Sequence, residues 1–86
     1  MPLADKKRAA TLPSPARRRE IRERAGVSRQ HVGAELGVSG AAIGWWENPN
    51  GFTPRNLDRR LAYRRLLDTL EQLGAELEST GPGQVA

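Results

Sequence analysis

The run Leu36-Gly37-Val38-Ser39 constrains the fold more than any other feature of this chain. It joins two short segments of helical spacing. Val32 and Leu36 lie four apart before the glycine, and Ile43 and Trp46 lie three apart after the serine. A glycine that closes a helix adopts φ > 0 without a Cβ penalty, and a serine just after a turn caps the next helix through its hydroxyl. Two helices joined by so short a connection cross at an angle, with Val38 filling the corner between them. The pattern predicts one helix over about 28–36, capped by Ser28, and another over about 39–47.

The same signals place two further helices. Ser14 before Pro15 reads as a cap and first helical residue, and Gly26 as a stop, which predicts a helix near 15–25. Pro49, Asn50 and Gly51 supply turn chemistry, after which Thr53 and Pro54 are expected to open a long helix over about 54–78. On that helix Leu57 and Leu61 share one side, whereas Leu66, Leu70, Leu73 and Leu77 lie nearly opposite. Either it kinks near Arg64, or its first half packs on the domain and its second half on another chain. The four later leucines, spaced four, three and four apart, form a candidate dimer seam whose burial would contribute about 6 to 12 kcal/mol per chain before ordering costs. A homodimer is the leading expectation, and a stripe folded back on the first helix is the alternative. Residues 1–13, with Lys6, Lys7 and Arg8, read as a mobile basic arm, and 79–86 as a flexible tail.

Eighty-six residues hold one small domain and leave no room for a separate catalytic one. The net charge of +4 falls in two basic blocks, 1–34 and 55–65, separated and followed by acidic stretches. Arginine supplies 12 of the 14 basic side chains, a composition suited to phosphate contacts. A nucleic-acid partner is therefore expected. With no cysteine there is no disulfide framework or thiolate metal site, and no apolar run is long enough for a signal core or a spanning helix. A soluble, cytoplasmic protein that binds no membrane is expected. His31 has no ligand-spaced companions and no nucleophile–base pair is visible, so no metal, cofactor or enzymatic activity is expected.

Ile21-Arg22, Gly26-Val27-Ser28, Val32-Gly33, Leu36-Gly37-Val38-Ser39, Ile43, Trp46-Glu47-Asn48 and Pro54 together resemble the Xre, or lambda-repressor-like, helix-turn-helix family. The similarity covers about residues 17–65 without a gap. It implies an all-α, four-helix domain with an extended C-terminal helix, and a double-stranded DNA-binding transcriptional regulator, such as a small repressor of phage or mobile-element type. Ser28 and Arg29 would sit near phosphates, with Gln30 a further DNA-binding candidate beside them. The helix bearing Ser39, Gly40, Ala41, Gly44 and Trp45, followed by Asn48, would enter the major groove. Arg55 would reach the adjacent groove, Arg59 is a further DNA-binding candidate that points outward if Leu57 and Leu61 are core, and Glu47 would tie neighbouring helices together.

Three departures qualify the resemblance. Arg29 replaces the usual Gln and keeps a phosphate contact. Gly33 replaces a frequent Ala at a cost of about 1 kcal/mol in helix stability. The third concerns readout. Gly40, Ala41, Gly44 and Trp45 occupy the positions that usually carry base-reading side chains, and none of them can make the bidentate contact that guanine or adenine requires.

Three explanations stay open for this helix. Ala41 would meet thymine methyls while Trp45 packs on the sugar-phosphate wall; or Arg55 supplies readout in a narrow groove; or the apolar surface around Trp45 binds a protein and the chain is an adaptor. A weak reader with a basic arm also fits an architectural or recombination-directing DNA binder. Trp46, on the face of Ile43, is expected in the core, and Trp45 at a contact surface rather than buried against the fourth helix. Of Arg17, Arg18 and Arg19, at least one is expected to be merely solvated or paired with Glu20 or Glu23.

Overall fold

The computed structural model describes residues 10–51 and 53–79, and its fold is all-α. Four helices are present among the described residues: α1 (Pro15–Arg24), α2 (Arg29–Leu36), α3 (Gly40–Trp46) and α4 (Leu57–Ser79). Lys6, Lys7 and Arg8, and the tail beyond Ser79, lie outside them.

Serine caps set the starts of the first three helices. The hydroxyls of Ser14, Ser28 and Ser39 accept from the backbone N–H groups of Arg17 (3.2 Å), His31 (3.1 Å) and Ala42 (3.1 Å). Gly26 and Gly37, each with φ near +71°, stop α1 and α2. Behind Gly37 the Val38 N–H donates to the Gly33 carbonyl at 2.8 Å, folding the turn onto α2. A Cβ on Gly33 would stand 2.6 Å from the Val38 carbonyl oxygen, so the turn approaches α2 more closely than any side chain at 33 would permit.

The fourth helix departs from expectation in three ways. It begins at Leu57 rather than near 54, because Asn56 is the cap: its side-chain oxygen accepts from Arg59 N–H at 2.9 Å, with Thr53 to Asn56 non-helical. It runs to Ser79 as one uninterrupted helix, so it is not broken near Arg64. Its buried stripe is Tyr63, Leu67, Leu70 and Gly74, whereas Leu57 and Leu61 are only half-buried. These four positions recur every three or four residues and form a single face.

That face closes one core. Ile21 and Ala25 of the α1 region, Val32, Ile43 and Trp46 meet Tyr63, Leu67 and Leu70, with Leu12, Leu36, Val38 and Leu66 packed around them. The Trp46 and Tyr63 rings lie 5.2 Å apart between centroids, tilted by 43°. Trp46 is thus a core residue, as its spacing implied. α4 packs chiefly on α1, and α2 on α3. Arg24 spans α1 and α4 through both carboxylate oxygens of Glu78 at 2.6 Å, and Arg17 reaches Glu71.

Two expectations are corrected here. Leu70 is buried in its own chain and Leu66 packs against the same core, so they do not form a free seam with Leu73 and Leu77, which are 37% and 49% exposed. Burial on α1 claimed the first half of the leucine series. Residues 10–13 are not a mobile arm either. Ala10 is fully buried, Leu12 packs on the core, and the Thr11 carbonyl accepts from Arg64 Nη1 at 2.6 Å.

Burial pushes the Tyr63 hydroxyl up to about 12, whereas an unfolded tyrosine ionises near 10. The folded state therefore keeps the proton longer, so stability holds below pH 10 and falls by an amount on the order of 2 kcal/mol as pH rises to about 12. Tyr63→Phe removes that decline in alkaline denaturation, and phenolate absorbance follows the same transition because the chain has one tyrosine. Leu70→Ala is expected to cost about 2–5 kcal/mol in urea unfolding without changing the particle mass in light scattering; a fall in mass would return Leu70 to a seam.

Candidate functional site

One face of the molecule is built by the start of α2 and the length of α3. Arg29 and Gln30 occupy the first turn of α2. Ser39, Gly40, Ala41, Gly44 and Trp45 come from α3 and its cap, and Asn48 follows it. Together these eight residues line an open concavity of about 720 Å³. A smaller hollow of about 300 Å³ continues it through Arg19, Glu47 and Pro49, sharing Arg29, Gly44 and Asn48. Eight of the eleven residues expected at a DNA contact thus meet in one surface. Ser28, Arg55 and Arg59 are exposed but stand outside its lining.

What positions α3 is a pair of arginines from α1. The Arg22 guanidinium grips the Glu47 carboxylate in a fork, Nε to Oε2 at 2.6 Å and Nη2 to Oε1 at 2.9 Å, while Nη1 donates to the Val27 carbonyl at 2.9 Å. The Glu47 side chain is only 2% exposed. The hydrogen bond to Glu47 raises the Arg22 pKa above its ordinary value, so the guanidinium stays charged. Arg18 is also buried. Its Nη1 donates to the Trp46 carbonyl at 2.9 Å and its Nε to the Pro13 carbonyl at 2.7 Å, placing a cation at the C-terminal end of α3, where the helix dipole favours it. Burial lowers the Arg18 pKa, although arginine stays far above neutrality.

The tie expected of Glu47 is therefore present. Arg17 and Arg19 pair with Glu20 and Glu23, as expected of at least one of the three, whereas Arg18 is buried and pairs with no acid of its own helix. Three arginines in a row look alike in sequence, and only the direction of the α1 face sorts them. Arg22 carried a signal in the Ile-Arg pair that precedes Gly-Val-Ser, but not the identity of its partner 25 residues away.

Charge on the concave face comes from Arg29 and Arg19. Arg29 Nε stands 3.5 Å from Glu47 Oε1, which anchors the stem of the guanidinium while its side chain remains about half exposed. Trp45 is 53% exposed and sits on the lining rather than buried against α4. The surface therefore combines a tethered cation, an amide, two hydroxyl or amide groups at Ser39 and Asn48, and an indole, with no side chain on two of its helix positions. His31 is exposed, and no group of three or more His, Cys, Asp or Glu that could hold a metal occurs among the described residues. No helix among them is long and apolar enough to cross a membrane.

Comparison of the chain with protein-family models, curated proteins and solved structures yields no match.

Because Glu47→Gln leaves a buried guanidinium without its counter-charge, it is expected to cost about 3–5 kcal/mol in urea unfolding. Replacing both partners, Arg22→Met with Glu47→Met, regains much of the loss, since no charge then needs desolvating. A loss below about 1 kcal/mol for the single variant would show that the pair does not hold α3 in place.

Proposed function

We propose that this chain is a small transcriptional regulator that binds double-stranded DNA through a helix-turn-helix formed by α2 and α3. The observation that carries the reading is the convergence of Arg29, Gln30, Ser39, Gly40, Ala41, Gly44, Trp45 and Asn48 on one concave, cation-bearing face. In this reading α2 crosses the phosphate backbone, with the Ser28 turn and Arg29 at phosphates, and α3 lies in the major groove. Arg19 extends the cationic edge, and Arg55 and Arg59 serve the flanking backbone. The similarity to lambda-repressor-like domains supports the same assignment and adds a repressor role.

A second reading, a protein-binding adaptor, is favoured by one observation: the indole of Trp45 is half exposed on a helix with no base-reading side chain. In either reading a homodimer would rest on Leu73 and Leu77 with a surface beyond them, because two exposed leucines bury too little for a stable interface. A two-fold pair on DNA would address half-sites about 34 Å apart.

Titration of the full chain with duplex DNA across salt concentrations tests the main reading. Affinity is expected to fall linearly on a log–log plot, and Arg29→Ala to reduce the slope by about 0.9, the loss of one phosphate contact. No binding at low salt, or binding indifferent to salt, rejects DNA as the partner. The adaptor reading predicts that Trp45→Ala abolishes capture of a protein partner and leaves the DNA titration unchanged.

A further inference from the structure

The helix proposed to enter the major groove carries no Asn, Gln, Arg or Lys, and two of its four outward positions are glycine. What stands over those glycines belongs to α2. A Cβ on Gly40 would lie 3.0 Å from Gln30 Cγ, 3.2 Å from Gln30 N and 3.3 Å from Gln30 Cα, so the first turn of α2, with the Gln30 side-chain stem foremost, crowds the place that a side chain at 40 would occupy. At Gly44 the nearest atoms are those of Arg29, with Cδ and Nη1 at 3.9 Å and Nε at 4.0 Å. Both side chains border the concavity that α3 lines, and Gln30 is exposed to it.

Resting on the DNA-binding reading, we propose that base readout has moved from α3 to α2: Gln30, carried across the gap at Gly40, is the specificity-determining side chain. Arg29, lying over Gly44 and tethered at Nε by Glu47, stays with the backbone and aligns it. The absence of a Cβ on Gly40 is what lets the Gln30 Cγ, and so the root of its amide, come this close to α3. A glutamine presents a donor and an acceptor side by side, the pattern that meets adenine at N6 and N7. Gln30 therefore selects adenine in the major groove, and Ala41 beside it contributes only apolar contact.

Selection of bound duplexes from a random pool, carried out with the full chain and with variants, decides the matter. The wild type is expected to enrich adenine at one position. Gln30→Ala, a change at an exposed helical site, should lower that preference about tenfold while salt-dependent binding persists. Gln30→Glu should exchange adenine for cytosine, since a carboxylate only accepts and cytosine offers its N4 donor. Gly40→Ala, whose new methyl displaces Gln30, should reproduce the loss seen with Gln30→Ala, with thermal unfolding by circular dichroism confirming that the variant is folded. A wild type that binds duplex without base preference, or Gln30 variants that select the wild-type sequence, overturns this inference and leaves DNA binding standing. A wild type that binds no duplex overturns both.

Discussion

The fork between Arg22 and Glu47 is the interaction on which the placement of α3 depends. It joins the last turn of α1 to the residue that ends α3, and the third arginine nitrogen fastens the Val27 carbonyl between α1 and α2. Burying two charges costs several kcal/mol per ion, and the pair repays this only because both carboxylate oxygens and all three guanidinium nitrogens are engaged in short bonds. Its contribution lies less in net stability than in geometry, because a fork has one good alignment where an apolar contact has many. A seven-residue helix cannot hold its own orientation by propensity, least of all with two glycines in it. Arg18 on the Trp46 carbonyl and Arg22 on Glu47 fix its C-terminal end, and the Ser39 cap and the Val38 turn fix its start.

The long α4 is the wall against which this arrangement closes. Tyr63 sits against Trp46 and shares the environment of Arg18 and Glu47, so the apolar core and the buried charges are contiguous. Further along, Gly74 is buried against the end of α1, where a Cβ would come into ordinary contact with Arg24 Cβ at 3.4 Å. The close approach brings Glu78 and Glu71 within reach of Arg24 and Arg17. These outer pairs are exposed and contribute little stability, but they match a basic α1 to an acidic end of α4 and so discourage other pairings. Much of the positive charge in the first block is therefore spent inside the molecule. Arg19 and Arg29 remain at the concave face, fewer than the composition suggests.

Glycine has a different purpose at each place it matters. At Gly33 it admits the turn, at Gly37 it reverses the chain, at Gly40 it leaves room over α3 that Gln30 crowds, and at Gly44 it leaves a bare helix position beside the Arg29 side chain. The last two explain how a surface can be concave and still present a guanidinium and an amide on a helix that has neither. Under the DNA-binding reading, α2 then becomes part of the reading surface rather than only its support.

Local chemistry was legible in the residues themselves. Serine caps at 14, 28 and 39 and glycine stops at 26 and 37 act within a few residues of where they stand, and they located the first three helices. The separation of Trp46 from Trp45 followed from helical period alone. The start of α4 was misplaced because Thr53-Pro54 and Asn56 are both acceptable openings, and only the observed bond to Arg59 N–H chooses between them. The leucine series was ambiguous for a deeper reason. Period assigns residues to faces, but not a face to its partner, so Leu70 in its own core and Leu70 in a dimer seam have the same sequence. Tertiary packing made that choice, as it chose Arg18 and Arg22 from five arginines in α1 and brought Gln30 over Gly40. The turn at 37–39 was thus determined by the sequence, because it needs only its own residues. The surface it supports was decided by the fold, since contacts between residues 10 to 54 positions apart depend on how whole helices meet.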